Sequence, residues 1–103
     1  MQLLPAEIAA ALPALYATEH DANPLCRVKL FTPDAGYTFY VTEYDPSRRL
    51  LFGYTQNGPH GELGYVSLDE LESVRGPLGL PIERDLYFTP TRLSQVRKAE
   101  GDA

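Results

Sequence analysis

Four runs rich in β-branched and aromatic residues, joined by short turn motifs, constrain the fold most strongly. The runs span residues 26–32, 37–44, 50–56 and 62–67, and residues of these types favour strands. The three gaps between them contain proline or glycine, which suit tight turns. Short connections of this kind join antiparallel neighbours. The sequence therefore predicts an antiparallel meander of at least four strands.

Two helices are predicted on either side of these runs. Near the start of the chain, apolar residues recur every three to four positions, at Leu4, Ile8, Leu12 and Leu15. Pro13 interrupts this stripe, so a kink or two short helices are expected. Residues 67–70, Ser-Leu-Asp-Glu, match a capping box and predict a second helix near 68–75. Gly76-Pro77 ends it.

The predicted fold class is α+β. A mostly antiparallel meander sheet of four to five strands, the fifth at 82–88, packs against the N-terminal helix, and a short helix follows near 68–75. The 103 residues form one domain, 1–103, since single domains commonly have this length. Its last residues, 97–103, are polar and are expected to fray.

Composition and charge narrow the function classes. The formal net charge is −5, and no basic stripe of the kind used by duplex DNA binders is present. The single cysteine, Cys26, cannot form an internal disulfide, which favours a reducing compartment. The chain has no apolar run long enough to cross a membrane, and its start lacks the basic residues of a secretion signal. We therefore expect a cytoplasmic protein with no membrane partner.

Motifs that carry chemistry are missing from the sequence. His20, Cys26 and His60 lie in three separate segments without the spacing of metal ligands. No serine lies in a nucleophile-elbow motif, and the glycine-rich stretches match no phosphate-binding fingerprint. We therefore expect no catalytic residue, no metal and no cofactor.

Aromatic residues are the most distinctive feature of the composition, with seven tyrosines and four phenylalanines that fall largely on the predicted strands. Three interpretations stay open: a tyrosine-rich core, a protein interface, or a platform on which single-stranded nucleic acid stacks. The candidate binding residues are Tyr40, Tyr44, Tyr54, Tyr65 and Arg84.

Arg84 stands out because strand alternation over 82–88 places it on the apolar face, beside Ile82 and Leu86. A buried arginine needs a partner. Glu43 shares the Phe39 face of the second strand, so a structural ion pair between Arg84 and Glu43 is expected. A ligand-binding arginine, an exposed arginine, and a small hydrolase site built from Glu43, Asp85 and Arg84 are the alternatives.

Two long stretches carry a resemblance to a known family. They are residues 28–45, VKLFTPDAGYTFYVTEYD, and residues 70–88, ELESVRGPLGLPIERDLYF, and the second is specific in order and spacing. Over residues 3–96 the chain resembles the family catalogued as domain of unknown function 2958. The resemblance implies a small bacterial protein of plasmids, integrative elements or phage, from a family without established activity or agreed catalytic residues.

The expected function is therefore a non-enzymatic protein-interaction module linked to mobile genetic elements. It would bind an unknown protein partner through its tyrosine-rich sheet face or through residues 76–88. A single-stranded nucleic-acid accessory factor, which is not favoured, and the small hydrolase are the alternatives.

Overall fold

The central element is a five-stranded antiparallel sheet. The computed structural model describes residues 2–100, apart from the side chain of His60. The sheet consists of β2 (Val28–Phe31), β3 (Tyr37–Asp45), β4 (Leu50–Asn57), β5 (His60–Ser67) and β6 (Glu83–Arg84), in the order β5-β4-β3-β2-β6. The predicted α+β class and the meander order of the strands are confirmed.

Shorter elements surround this sheet. Two short strands, β1 (Leu25–Cys26) and β7 (Thr91–Arg92), pair with each other outside it. The helices are α1 (Ala6–Ala11), α2 (Leu68–Ser73) and α3 (Leu93–Ala99). No helix within residues 2–100 combines the length and the apolar character needed to cross a membrane.

The helix boundaries follow the signals in the sequence. α1 ends two residues before Pro13, as a proline in its interior would cost a backbone hydrogen bond. No residue of α1 itself is buried, whereas Leu3, Leu4 and Leu12 on either side of it are. Ser67 caps the start of α2, and its hydroxyl accepts a hydrogen bond from the amide of Glu70 at 3.3 Å, as the capping box predicts.

A bulge in β3 divides its side chains between the two faces in an unexpected way. Val41 pairs with Gly53 and Glu43 pairs with Phe52, so Thr42 is the extra residue. The hydroxyl of Thr42 donates to the carbonyl of Phe52 at 3.0 Å. An extra residue shifts the alternation by one place, so every side chain after Thr42 changes face.

Each face of the sheet carries its own apolar cluster. The first face holds the larger cluster, which includes Leu30, Phe39, Val41, Leu51 and Leu71. The second face holds a smaller cluster of Cys26, Tyr40, Tyr54, Leu93 and Val96, with Phe88 at its margin. The N-terminal segment and α2 cover the first face, and α3 covers the second.

The segment expected to fray is helical as far as Ala99, since residues 97–99 belong to α3. The guanidinium of Arg97 lies 5.1 Å from the ring centre of Tyr54, a distance at which a cation and an aromatic face attract. Residues 101–103 lie outside the described part of the chain.

The strand predicted at 82–88 is shortened to the two residues of β6. Asp85 ends it, because its carboxylate accepts from the amide of Tyr87 at 2.9 Å and its carbonyl accepts from the amide of Phe88 at 3.3 Å. These hydrogen bonds turn the chain away from the sheet edge. Leu86 and Tyr87 are left exposed by this turn.

Candidate functional site

The four tyrosines predicted as binding residues do not form one surface. Tyr40 and Tyr54 are 4% and 0% exposed and lie in the core of the second face. Tyr44 is buried on the first face, because the bulge at Thr42 changes its orientation. Only Tyr65 among the four is accessible, at 51%. The open aromatic surface considered for base stacking or protein binding is therefore not formed by this set.

Burial on the second face raises the pKa of two of its side chains. It raises the pKa of Tyr40 to about 12 and the pKa of the Cys26 thiol to about 12, because a charged form there would lose its hydration. Both groups therefore stay neutral at physiological pH. They act as core side chains, and Cys26 does not have the low pKa that a reactive cysteine needs.

The structure does not bring Arg84 and Glu43 together, which corrects the predicted ion pair. Arg84 pairs with Leu30 and so lies on the first face. Glu43 pairs with Phe52, two residues from Tyr54, and the bulge therefore places it on the second face. Because the sheet separates the two side chains, alternation without the bulge gave the wrong pairing.

Arg84 instead holds the start of the chain against the sheet edge. Its guanidinium donates to the carbonyl of Gln2 at 2.7 Å and to the carbonyl of Leu3 at 3.0 Å. Leu3 is buried in the first-face cluster. The arginine therefore positions an apolar anchor of the N-terminal segment.

Glu43 stabilises a strained loop. Its carboxylate, 3% exposed, accepts from the amide of Tyr16 at 2.9 Å and from both the amide, at 2.7 Å, and the hydroxyl of Thr18. Tyr16 has a φ of 71°, a conformation that costs a bulky residue about 1–3 kcal/mol. The hydrogen bonds to a buried carboxylate offset this cost, so Glu43 fixes the loop.

The charged triplet at 83–85 is likewise not a cluster. Glu83 pairs with Phe31 in the sheet, Arg84 contacts the N-terminal segment, and Asp85 accepts from Tyr87 and lies 3.9 Å from the ammonium of Lys29. With Glu43 on the opposite face from Arg84, the hydrolase site proposed from Glu43, Asp85 and Arg84 is not formed.

A groove of about 880 Å³ lies on the first face, between β5, α2 and the chain that follows α2. Tyr37, Thr55 and Val66 form part of its floor, and Leu71, Val74 and Pro77 part of its wall. Gly64 leaves open space beside the sheet, since nothing lies within 4 Å of where its Cβ would be. The groove is therefore a gap that α2 does not fill.

Polar side chains line much of this groove, and most of them are neutral, such as those of Thr55, Asn57 and Ser67. Glu62 and Glu70 line it together with one basic residue, Arg75. The guanidinium of Arg75 donates to the carbonyls of Glu72 and Val74, at 3.1 and 2.8 Å. Burial raises the pKa of Tyr37, and a hydrogen bond with Thr55 acts in the opposite direction. The tyrosine therefore stays a neutral hydroxyl at physiological pH.

The loop at 76–80 beside the groove has a fixed backbone. The carboxylate of Asp34 accepts from the amide of Leu78 at 2.7 Å, and the amide of Gly76 donates to the carbonyl of Leu80 at 2.9 Å. A Cβ at Gly76 would lie 1.7 Å from the carboxylate of Asp34, so a side chain there would displace that carboxylate. Gly79 has a φ of 80°, which glycine adopts without strain.

Large apolar side chains are concentrated on and around this loop. Leu78 is 78% exposed, and Val74 and Leu80 are exposed beside it. Further along, Leu86 and Tyr87 are exposed at the turn after β6, Tyr87 to 93%. Residues 74–88 thus carry five of the exposed large apolar side chains. Residues 76–88 were one of the two binding surfaces expected from the sequence, and the Gly-Pro-Leu and Gly-Leu-Pro triplets at 76–81 indicate a turn-rich, exposed segment there.

Within residues 2–100, apart from the side chain of His60, no group of three histidine, cysteine or acidic side chains is arranged to hold a metal ion. His20 is exposed in a loop, and Cys26 is fully buried on the second face. His20 and Cys26 therefore share no site.

Comparisons with known proteins give one match. No curated protein and no solved structure is similar to this chain. The model of a family described as a protein of unknown function, DUF2958, matches residues 3–101, which extends the resemblance past the end of α3. The chain belongs to the DUF2958 family.

Proposed function

We propose that this chain is a non-enzymatic protein-interaction module, linked to bacterial mobile genetic elements, and that residues 74–88 supply its binding surface. The observation that carries the proposal is the concentration of exposed large apolar side chains on this one segment. Exposed apolar patches mark interaction sites on soluble proteins. The link to mobile elements rests on what the family resemblance implies.

The rigidity of the 76–80 loop supports this role. Asp34, Gly76 and Gly79 hold the backbone in one conformation, as described above. A surface fixed before binding loses less conformational entropy when a partner docks. Leu78 and Leu80 are therefore presented to a partner at little entropic cost.

The chemistry of the groove indicates which partner segment fits. Its apolar lining, including Leu71 and Val74, suits apolar side chains, and the carboxylates of Glu62 and Glu70 suit a basic one. The net charge of −5 acts in the same direction by attracting basic partners. We propose that the partner inserts an extended segment in which apolar residues flank a lysine or arginine.

Affinity capture with quantitative mass spectrometry tests the proposal. The immobilised proteins are the wild type, a Leu78→Ser/Leu80→Ser variant, and a control with serine at two exposed alanines away from the segment, Ala10→Ser/Ala22→Ser. We expect a bacterial protein that the wild type and the control retain and that the leucine variant loses by about tenfold or more.

Urea unfolding of the three proteins checks that all are folded. Equal retention by all three would show that residues 78 and 80 do not bind the partner. Retention of nothing by any of them would contradict the interaction role itself. A retained partner should then bind in calorimetry, more weakly as salt rises if the groove carboxylates take part.

A further inference from the structure

We infer that β5 joins two copies of this chain, which pair edge to edge into one continuous antiparallel sheet. β5 is the terminal strand of the sheet and pairs along its length with β4 on one side. The pairing uses no residue of 74–88, although Glu62 and Gly64 of β5 also line the groove beside that segment. The inference rests on the backbone of β5 and does not depend on the proposed function.

The ladder between β4 and β5 shows which backbone groups point outward. The amide of Leu68 donates to the carbonyl of Arg49 at 2.9 Å, which makes the flanking pair of Leu50 and Ser67 a non-hydrogen-bonded one. Because the two kinds of pair alternate, β5 directs outward the N–H and C=O groups of alternate residues, which are Gly61, Leu63, Tyr65 and Ser67. Among residues 2–100, apart from the side chain of His60, no backbone hydrogen bond reaches these groups on the outer side.

The outward N–H and C=O groups of β5 can form hydrogen bonds with the same groups of a second copy. If a two-fold axis passes beside Gly64, Leu63 pairs with Tyr65 of the second copy, and Gly61 pairs with Ser67 of the second copy. Each of these pairs exchanges two backbone hydrogen bonds, so every outward group between 61 and 67 is satisfied. A two-fold contact requires this reciprocity of residue pairs.

Side-chain contacts across the two copies support this same register. Leu63 and Tyr65 share one face of the strand and are 43% and 51% exposed, and in the pair each covers the other. The ring of Phe52, 4.8 Å from that of Tyr65, extends this apolar contact within each copy. On the opposite face Gly64 meets its own counterpart, with no side chain between them.

Charge does not oppose this contact. Glu62 pairs with Val66 of the second copy, so the two Glu62 residues lie four positions apart, about 13 Å along the strand. This separation exceeds the screening length of about 8 Å at physiological ionic strength. Residues 61–67 also contain no lysine and no proline, and their pairing with β4 has no bulge, so Glu62 is the one usual protection of an edge strand that is present there.

A cysteine introduced at the axis tests the register. In Gly64→Cys the two thiols would face each other across a non-hydrogen-bonded pair, at a Cα separation of about 4.5 Å that a disulfide can bridge. Nothing lies within 4 Å of that Cβ position, so the fold should accept the change. Glu62→Cys is the control, and the native Cys26 is fully buried and does not compete.

In a glutathione redox buffer, we expect Gly64→Cys to form a covalent dimer on a non-reducing gel and Glu62→Cys to stay monomeric. Equal cross-linking of both variants would indicate random collision and would overturn the register. The register would also be overturned if Gly64→Cys formed no cross-link while its far-ultraviolet circular dichroism spectrum, equal to that of the wild type, showed that it is folded.

Analytical ultracentrifugation tests the contact itself. We expect the wild type to reach twice its chain mass of 11.5 kDa as concentration rises. Leu63→Lys/Tyr65→Lys places like charges opposite each other and should weaken dimerisation by at least about tenfold, whereas Leu86→Lys, on the other surface, should not.

Tyr65→Pro removes an outward amide and the ring that covers Leu63 of the second copy, while the hydrogen bonds to β4 are kept, so it should also yield a monomer. A wild type that stays monomeric at millimolar concentration would overturn the inference and leave an edge open to a strand of another protein. A dimer that persists in the folded double-lysine variant would place the contact elsewhere.

Discussion

The second face of the sheet and the segment at 74–88 both carry large apolar and aromatic side chains, but these are buried on the second face and exposed at 74–88. On the second face, α3 packs on Tyr40 and Tyr54, and both rings are buried. At 74–88, fixed turns hold Leu78 and Tyr87 out in the solvent. The aromatic rings of the second face therefore stabilise the core, whereas the large apolar side chains of the turns at 74–88 stay exposed.

The largest effect is expected from opening the second face. Tyr54→Ala removes a fully buried ring that also donates to the side chain of Gln56 at 2.9 Å. We expect a loss of about 3–5 kcal/mol in the free energy of unfolding, measured with urea. Tyr65→Ala, at an exposed position, should cost less than about 1 kcal/mol. Equal losses would show that the two tyrosines share one environment.

Removing the buried carboxylate of Glu43 should have the next largest effect. Glu43→Ala leaves the amides of Tyr16 and Thr18 without their acceptor and the strained loop without support. We expect a loss of about 2–3 kcal/mol and faster hydrogen exchange at these two amides. Glu62→Ala, an exposed acid, is the control and should be near neutral. Unchanged exchange in Glu43→Ala would contradict the role of the carboxylate.

Raising the pH of the wild type should lower its free energy of unfolding, because two buried groups of the second face ionise only in the unfolded chain. The folded state holds the pKa of Cys26 at about 12, above 9.0, and that of Tyr40 at about 12, above 10.0. Only the unfolded chain releases these protons between pH 9 and 12, so stability is complete below pH 9 and falls above it. By pH 10 the loss should be about 1–2 kcal/mol. A Cys26→Ala variant should show a shallower decline, and an identical decline would contradict the burial of the thiol.

The smallest of these effects is expected at Arg84. Its guanidinium donates to two backbone carbonyls at a half-buried edge, and losing these hydrogen bonds in Arg84→Ala should cost about 1 kcal/mol in urea unfolding. A buried ion pair that lost one member would cost about 3–5 kcal/mol. A measured loss of that larger size would indicate that Arg84 forms a buried ion pair with an acidic residue.

Local signals in the sequence predicted most of the fold. The four main strands, the turns between them and the cap at Ser67 each depend on a few neighbouring residues. The sheet order followed from short connections. These features were accessible because turn chemistry and alternation act over fewer than ten residues.

The site residues were harder to predict, because two non-local features decide them. The bulge at Thr42 has no distinctive sequence signal, yet it moves Glu43 and Tyr44 to the faces opposite to those expected. α3 had a weak signal, the three-residue spacing of Leu93 and Val96, but its position over Tyr54 depends on how the chain returns after β6. The exposure of Leu78 depends on a loop held by Asp34, 44 residues earlier, and that of Tyr87 depends on the turn after β6.

Chemical labelling of the tyrosines in the native protein tests the central claim most directly. After brief acetylation of phenol groups, peptide mass spectrometry compares Tyr40 and Tyr54 on the second face with Tyr87 at the 74–88 surface. We expect the exposed Tyr87 to be modified rapidly and the buried Tyr40 and Tyr54 to stay protected until the protein is unfolded. Modification of Tyr40 or Tyr54 at the rate of Tyr87 in the folded protein would contradict it.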